Sequence, residues 1–187
     1  TETAGEAEVE GLLALMLLHD SRREARNADA GRFVVLEHQD RTLWDKGKIR
    51  EGRVLVKTAL ARGPAGPFQI QAAISAVHAE AGSYSQTGWQ EIVQLYDVLY
   101  SLQPSPVVIL NQAVARSNTD GPQPALEQVM PLAAELDAYQ PFHAARADFL
   151  RRADRPDEAR LSYLRAIELS GNESDRQFLS GRMQGID

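Results

Sequence analysis

Two pairs of alanines set the strongest constraint on how this chain folds: Ala113 and Ala125 stand 34 residues before Ala147 and Ala159. The clearest unit around them is residues 143–171, HAARADFLRRADRPDEARLSYLRAIELSG, which adds Ala166 and an aromatic at Tyr163. Small side chains at those offsets let two antiparallel helices approach closely, and the aromatic then fills the gap to the next pair. A period of that length marks stacked helix pairs, each of which buries its apolar face only against its neighbours.

The period and the small–aromatic pattern are those of tetratricopeptide repeats. Arrays of this kind bind partners along a concave surface more often than they perform chemistry. At 187 residues the chain suits one helical-repeat domain of three or four repeats. We divide it into N-terminal helices with a hairpin (1–63), repeats (64–171) and a capping helix (172–187).

Helical signals dominate. Residues 4–19 read as one helix, with Leu12, Leu15, Met16 and Leu18 apolar nearly all round and therefore buried. Asp29-Ala30-Gly31 followed by FVVLE predicts a small β-hairpin, Gly31 supplying the positive φ. Helical period returns from Asp45 to Arg62 and is stopped by Gly63-Pro64. Pro67 opens the next helix on Ile70, Ile74, Val77 and Ala81, and Trp89–Leu102 follows, with Trp89 expected in the core. Ser105-Pro106, Pro141 and Pro156 mark further helix starts. Pro131 predicts a kink or a new start, and Asn172 to Gln184 a cap with Phe178 and Leu179 inward. The fold class is all-α, antiparallel pairs in a right-handed array with one hairpin.

Five strings, EGLLALMLLHDSRREAR, LEHQDRTLWD, IQAAISAVHAEA, SPVVILNQAVA and HAARADFLRR, occur in that order. Together they make the chain resemble, from about Val9 to Leu179, the C-terminal extension of a group of extracytoplasmic-function (ECF) RNA polymerase sigma factors. The resemblance implies a parent acting in transcription initiation, with promoter-reading and polymerase-binding regions upstream, and the absence of Cys fits a reducing cytoplasm. It implies a regulatory role for this piece through contacts with the sigma regions of the same polypeptide, RNA polymerase or a regulator. The chain departs from the family pattern at Gln112, where Arg is usual, and at His38, where an acidic residue is usual. The start at Thr1, in what reads as mid-helix, fits a piece of a longer protein.

Several function classes are disfavoured. A net charge of −6 and the absence of a basic helix-turn-helix argue against direct nucleic-acid contact. No run nears the roughly 20 apolar residues that cross a bilayer. With no Cys there is neither a thiol nucleophile nor a cysteine-held metal. None of the four histidines (19, 38, 78, 143) has an i, i+4 His partner, and His78-Ala79-Glu80 lacks the PCxxC that zinc deaminases pair with such a string. No GxSxG or phosphate-cradling glycine loop occurs. We expect no enzyme, metal or cofactor.

Two groupings stand out as partner-binding candidates. Gln71, Ser75 and His78 fall at i, i+4 and i+7 beside an apolar stripe, as a solvated face or as a groove lining. Asp148, Arg151 and Arg152 project toward the concave side if Ala147 is the packing residue, and the two arginines suit a carboxylate. Asn111 takes the place of a peptide-gripping amide or of a buried polar cap. The least repeat-like segment, Glu37, His38, Gln39, Asp40, Arg41 and Trp44, is a candidate for docking on upstream sigma regions together with His19, Asp20, Arg22 and Arg23. Its competing role is local, with Asp40 capping the next helix and Trp44 anchoring the hairpin. A small-molecule sensor and a free-standing adaptor are the alternative functions.

Overall fold

A computed structural model describes residues 2–26 and 34–186. The described residues are helical throughout, with ten α-helices, four single 3-10 turns and no strand among them. The chain divides into two compact units, residues 1–104 and 105–187.

The first unit is built on α1 (Glu2–Asp20), with a short α2 (Arg23–Arg26), α3 (Lys46–Leu60), α4 (Pro67–Glu80) and α5 (Trp89–Leu102). Helix α1 lies against both α3 and α4. The Glu10–Arg62 and Asp20–Lys48 ion pairs, 2.9 and 2.7 Å, fix α3 antiparallel to it. Helix α4 runs parallel to α1: the Glu8 carboxylate accepts from the Phe68 amide at 2.9 Å, and Gly11 meets Gln69. Glu8 thereby satisfies an orphan donor of the first turn of α4 and places a negative charge at its positive pole.

The face of α1 that packs is not the one its large residues mark. Ala7, Gly11, Ala14 and Leu18 are buried, whereas Val9 is 67%, Leu13 46% and Met16 61% exposed. The expectation that Leu12 and Met16 are core is therefore corrected, and only Leu18 is fully enclosed. Two neighbouring helices come too close for bulk. A Cβ on Gly11 would lie 2.8 Å from the Gln69 backbone nitrogen, and one on Gly52 of α3 would lie 2.8 Å from Leu18 Cγ.

The hairpin is also corrected where it is described. Val34 and Val35 form no ladder and Leu36–His38 is a 3-10 turn; the Asp29-Ala30-Gly31 turn lies outside the described residues. The β-branched run instead packs Leu36 beside the buried Ala25, Trp44 and Ile49. Asp45 caps α3 by accepting from the Gly47 and Lys48 amides, the role expected of Asp40, which caps the Arg41–Leu43 turn instead.

The second unit holds α6 (Pro106–Arg116), α7 (Pro122–Val129), α8 (Gln140–Arg152), α9 (Pro156–Leu169) and α10 (Glu173–Gln184). Helix α6 packs on α7, α7 on α8, α8 on α9 and α9 on α10. Ala113, Ala125, Ala147 and Ala159 all have zero exposure, and Tyr163 joins them in one core with Phe142, Phe149 and Leu150. Pro131 ends α7 and opens the 3-10 turn Met130–Leu132. Leu179 closes the core, with Phe178 packed at its edge.

Candidate functional site

The parallel course of α1 and α4 brings both C-termini to one end of the first unit, where carbonyls without intrahelical partners concentrate partial negative charge. Arginines gather there. Arg26 donates to the His19 carbonyl at 2.9 Å. Arg41 Nη1 donates to the His78 and Ala81 carbonyls at 2.6 and 2.7 Å, closing the end of α4.

The indole of Trp44, 3% exposed, is the centre of the arrangement. The Arg41 guanidinium stands 4.5 Å and the Arg22 guanidinium 5.7 Å from its centroid, both within reach of the negative ring face. His78 meets Trp89 edge-on at 5.2 Å, and Tyr84 meets Trp89 at 4.8 Å. Trp89 is thus half-buried against a histidine and a tyrosine, a partial departure from the core position expected of it.

The electrostatics are one-sided. Burial, with Arg26 and Arg41 nearby, pulls Arg22 down to about 10. Burial, reinforced by Arg22, Arg41 and His19, pulls His78 down to about 4, so it is neutral at pH 7. Burial also lowers Arg41, and burial with Arg22 and Arg26 lowers His19. Among the described residues no carboxylate pairs with Arg22, Arg26 or Arg41. The adjacent Asp20 is engaged by Arg23 and by Lys48. Arg41 Nη2 and His78 Nδ1 are buried without a hydrogen-bond partner.

His78, read from its stripe on α4, and Arg22, Arg41 and Trp44, read as a docking knot, therefore meet in one place. Gln71 and Ser75 stay half-buried along α4. The remaining docking candidates disperse. Gln39 is buried and donates to the Val34 carbonyl, and Asp40 accepts from the Thr42 amide and hydroxyl. Glu37, His38 and Arg23 are exposed.

In the second unit the arginine pair, a candidate receptor for a carboxylate or an acidic peptide, already makes internal contacts. Asp148 accepts from Arg151 at 2.8 Å and from Arg182 of α10 at 2.7 Å, with Arg152 at 3.4 Å. Arg152 also donates to the Ser117 hydroxyl at 2.9 Å and to its carbonyl at the end of α6. Burial would raise Asp148, but the Arg151 hydrogen bond and the three guanidinium charges outweigh it and hold the carboxyl below its ordinary value. Asn111 is exposed, which removes the buried-cap account; the buried amide is Gln112, accepting from Gln128 at 2.7 Å.

Two surface features complete the picture. A groove of about 390 Å³ between α3, α4 and α5 has Ala73, Ala76 and Val77 on its floor, with Arg50, Val54 and Lys57 at its edge. A second hollow, about 530 Å³, runs from Leu13 and Met16 to His19 and Arg26. Among the described residues, no three His, Asp or Glu side chains are grouped to hold a metal, and no helix is long and apolar enough to cross a membrane.

Comparison with known proteins adds a family match without a function. Residues 1–60 match the model of a family described as "Family of unknown function (DUF6596)". The chain is 46% identical over 179 residues to an uncharacterized protein of Rhizobium meliloti (strain 1021), an alignment covering 96% of this chain and 42% of that relative. It therefore spans less than half the length of the relative it matches. No solved structure matches.

Proposed function

We propose that this chain is the C-terminal, tetratricopeptide-like regulatory region of an ECF-type RNA polymerase sigma factor, acting in the cytoplasm through protein contacts and without catalysis of its own. The observation that carries this reading is the ordered set of strings from about Val9 to Leu179, which includes non-repeat segments as well as repeat positions. Enclosure of all four period-related alanines is consistent with close helix pairs stacked as a right-handed array. The greater length of the Rhizobium relative is consistent with further regions beyond a domain of this kind.

Surfaces available for such contacts are Asn111 on α6, the half-buried Gln71 and Ser75 on α4, and the exposed His19 and Glu37. Asp148, Arg151 and Arg152 link α8 to α10 and to the end of α6. The test is promoter-specific transcription in vitro by the parent protein with and without this region at matched concentration. Lost activity on deletion identifies a domain that supports polymerase recruitment, and gained activity an autoinhibitor. Unchanged activity overturns the regulatory reading. A small-molecule sensor is the second reading, favoured by the cations around Trp44 that pair with no carboxylate among the described residues.

A further inference from the structure

The charges at the shared end of α1 and α4 do not balance. Each helix C-terminus contributes roughly half a negative charge, about one for the pair. Three guanidiniums, Arg22, Arg26 and Arg41, face that one charge with no carboxylate partner among the described residues, leaving an excess of about two. Folding has also desolvated polar atoms there without satisfying them, since the Arg41 Nη2 donor and the His78 Nδ1 atom have no hydrogen-bond partner among the described residues. Unmet buried polar groups and like charges held together each cost free energy. An anion of charge two, offering several acceptor oxygens, removes both costs at once.

We propose that Arg22 and Arg26, backed by Arg41 and His78 around the Trp44 ring, form a receptor for one phosphate-class dianion, free or carried as a monoester by a small molecule. Arg22 is the contact residue. It is half-buried, its guanidinium makes no hydrogen bond among the described residues, and it is held against the indole at 5.7 Å, so its fork is oriented before any ligand arrives. Arg26 uses one nitrogen on the His19 carbonyl and flanks it. Arg41 lies behind, fixed by the end of α4, and contributes field and an unused Nη2. Neutral His78 offers a ring N–H without adding a charge that the site would have to hold when empty. This assignment does not depend on the sigma-factor reading.

The chain carries its own reporter, because both of its tryptophans, Trp44 and Trp89, sit at this cluster. The purified chain is titrated with inorganic phosphate, with glycerol 3-phosphate and with sodium chloride at matched ionic strength, following tryptophan emission and melting temperature. A saturable emission change with a rise in melting temperature is expected from phosphate, from the monoester or from both. Tighter binding of the monoester identifies a small phosphorylated molecule as the source, and tighter binding of inorganic phosphate identifies the free ion. Arg22→Gln, with folding checked by far-ultraviolet circular dichroism, should weaken binding by at least about tenfold. Arg26→Gln should weaken it less and serves where Arg22→Gln does not fold. A response that only follows ionic strength, or wild-type affinity in the folded variants, overturns the proposal.

Discussion

At His78 a proton is opposed by burial first, and then by Arg22, Arg41 and His19, which set the pKa to about 4 against an ordinary 6.5. Between those values the unfolded chain binds a proton that the native state refuses, so stability falls as pH drops from about 6.5 to about 4 and then levels. At about 1.4 kcal/mol per pH unit the full effect is roughly 3.5 kcal/mol. Urea unfolding followed by tryptophan emission should show this loss, and His78→Gln should flatten it. A pH-independent midpoint in the parent chain would mean that His78 protonates freely. The histidine is visible in the sequence, but its companions are not. Residues 22, 41 and 78 converge only because α1 and α4 run parallel, and no local pattern encodes that. Arg151 and Arg152 show the same gap. Their i+3 and i+4 spacing from Asp148 is legible, whereas the Arg182 contact that completes the network comes from α10.

Among the elements, those whose proline is read as a helix start (α4, α6, α8 and α9) begin where the sequence places them, because proline fixes φ and lacks the N–H that a first turn leaves unused. Facing is harder to read than boundaries. In α1 the leucines and Met16 draw the eye, but contact distance selects glycine and alanine for the packed side. Glycine in a helix interior ordinarily costs up to about 1 kcal/mol relative to alanine, so Gly181→Ala in α10, whose Cβ meets nothing within 4 Å, should stabilise by about 0.5–1 kcal/mol. Gly11→Ala should do the opposite. The gap it would fill is bounded by backbone, and overpacking of about 1–3 kcal/mol exceeds the propensity gain. Met16→Gln, at an exposed position, should change stability by no more than about 0.5 kcal/mol. Thermal melts of the three variants check the ordering, and a destabilising Met16→Gln would return the large face of α1 to the core.

For the whole molecule the decisive quantity is how charge is distributed, not its sum. The net −6 divides evenly, with eleven basic against fourteen acidic residues in the first unit and nine against twelve in the second. Each unit thus carries a net negative charge, which opposes a phosphate backbone, whose non-specific affinity grows with the number of phosphates neutralised. The cations at Trp44 are instead confined, flanked by indole and helix ends, within a molecule whose long-range field repels polyanions. At physiological salt that field fades beyond about 8 Å, so a small dianion that diffuses close feels the local excess, whereas a duplex must bring its whole charge against two acidic units. A labelled random duplex should accordingly show no mobility shift at about 10 µM protein, a concentration that reveals ordinary non-specific DNA binders at the tighter end of their range. The same protein should still respond to phosphate. A shift abolished by Arg22→Gln would instead make the cluster part of a nucleic-acid surface.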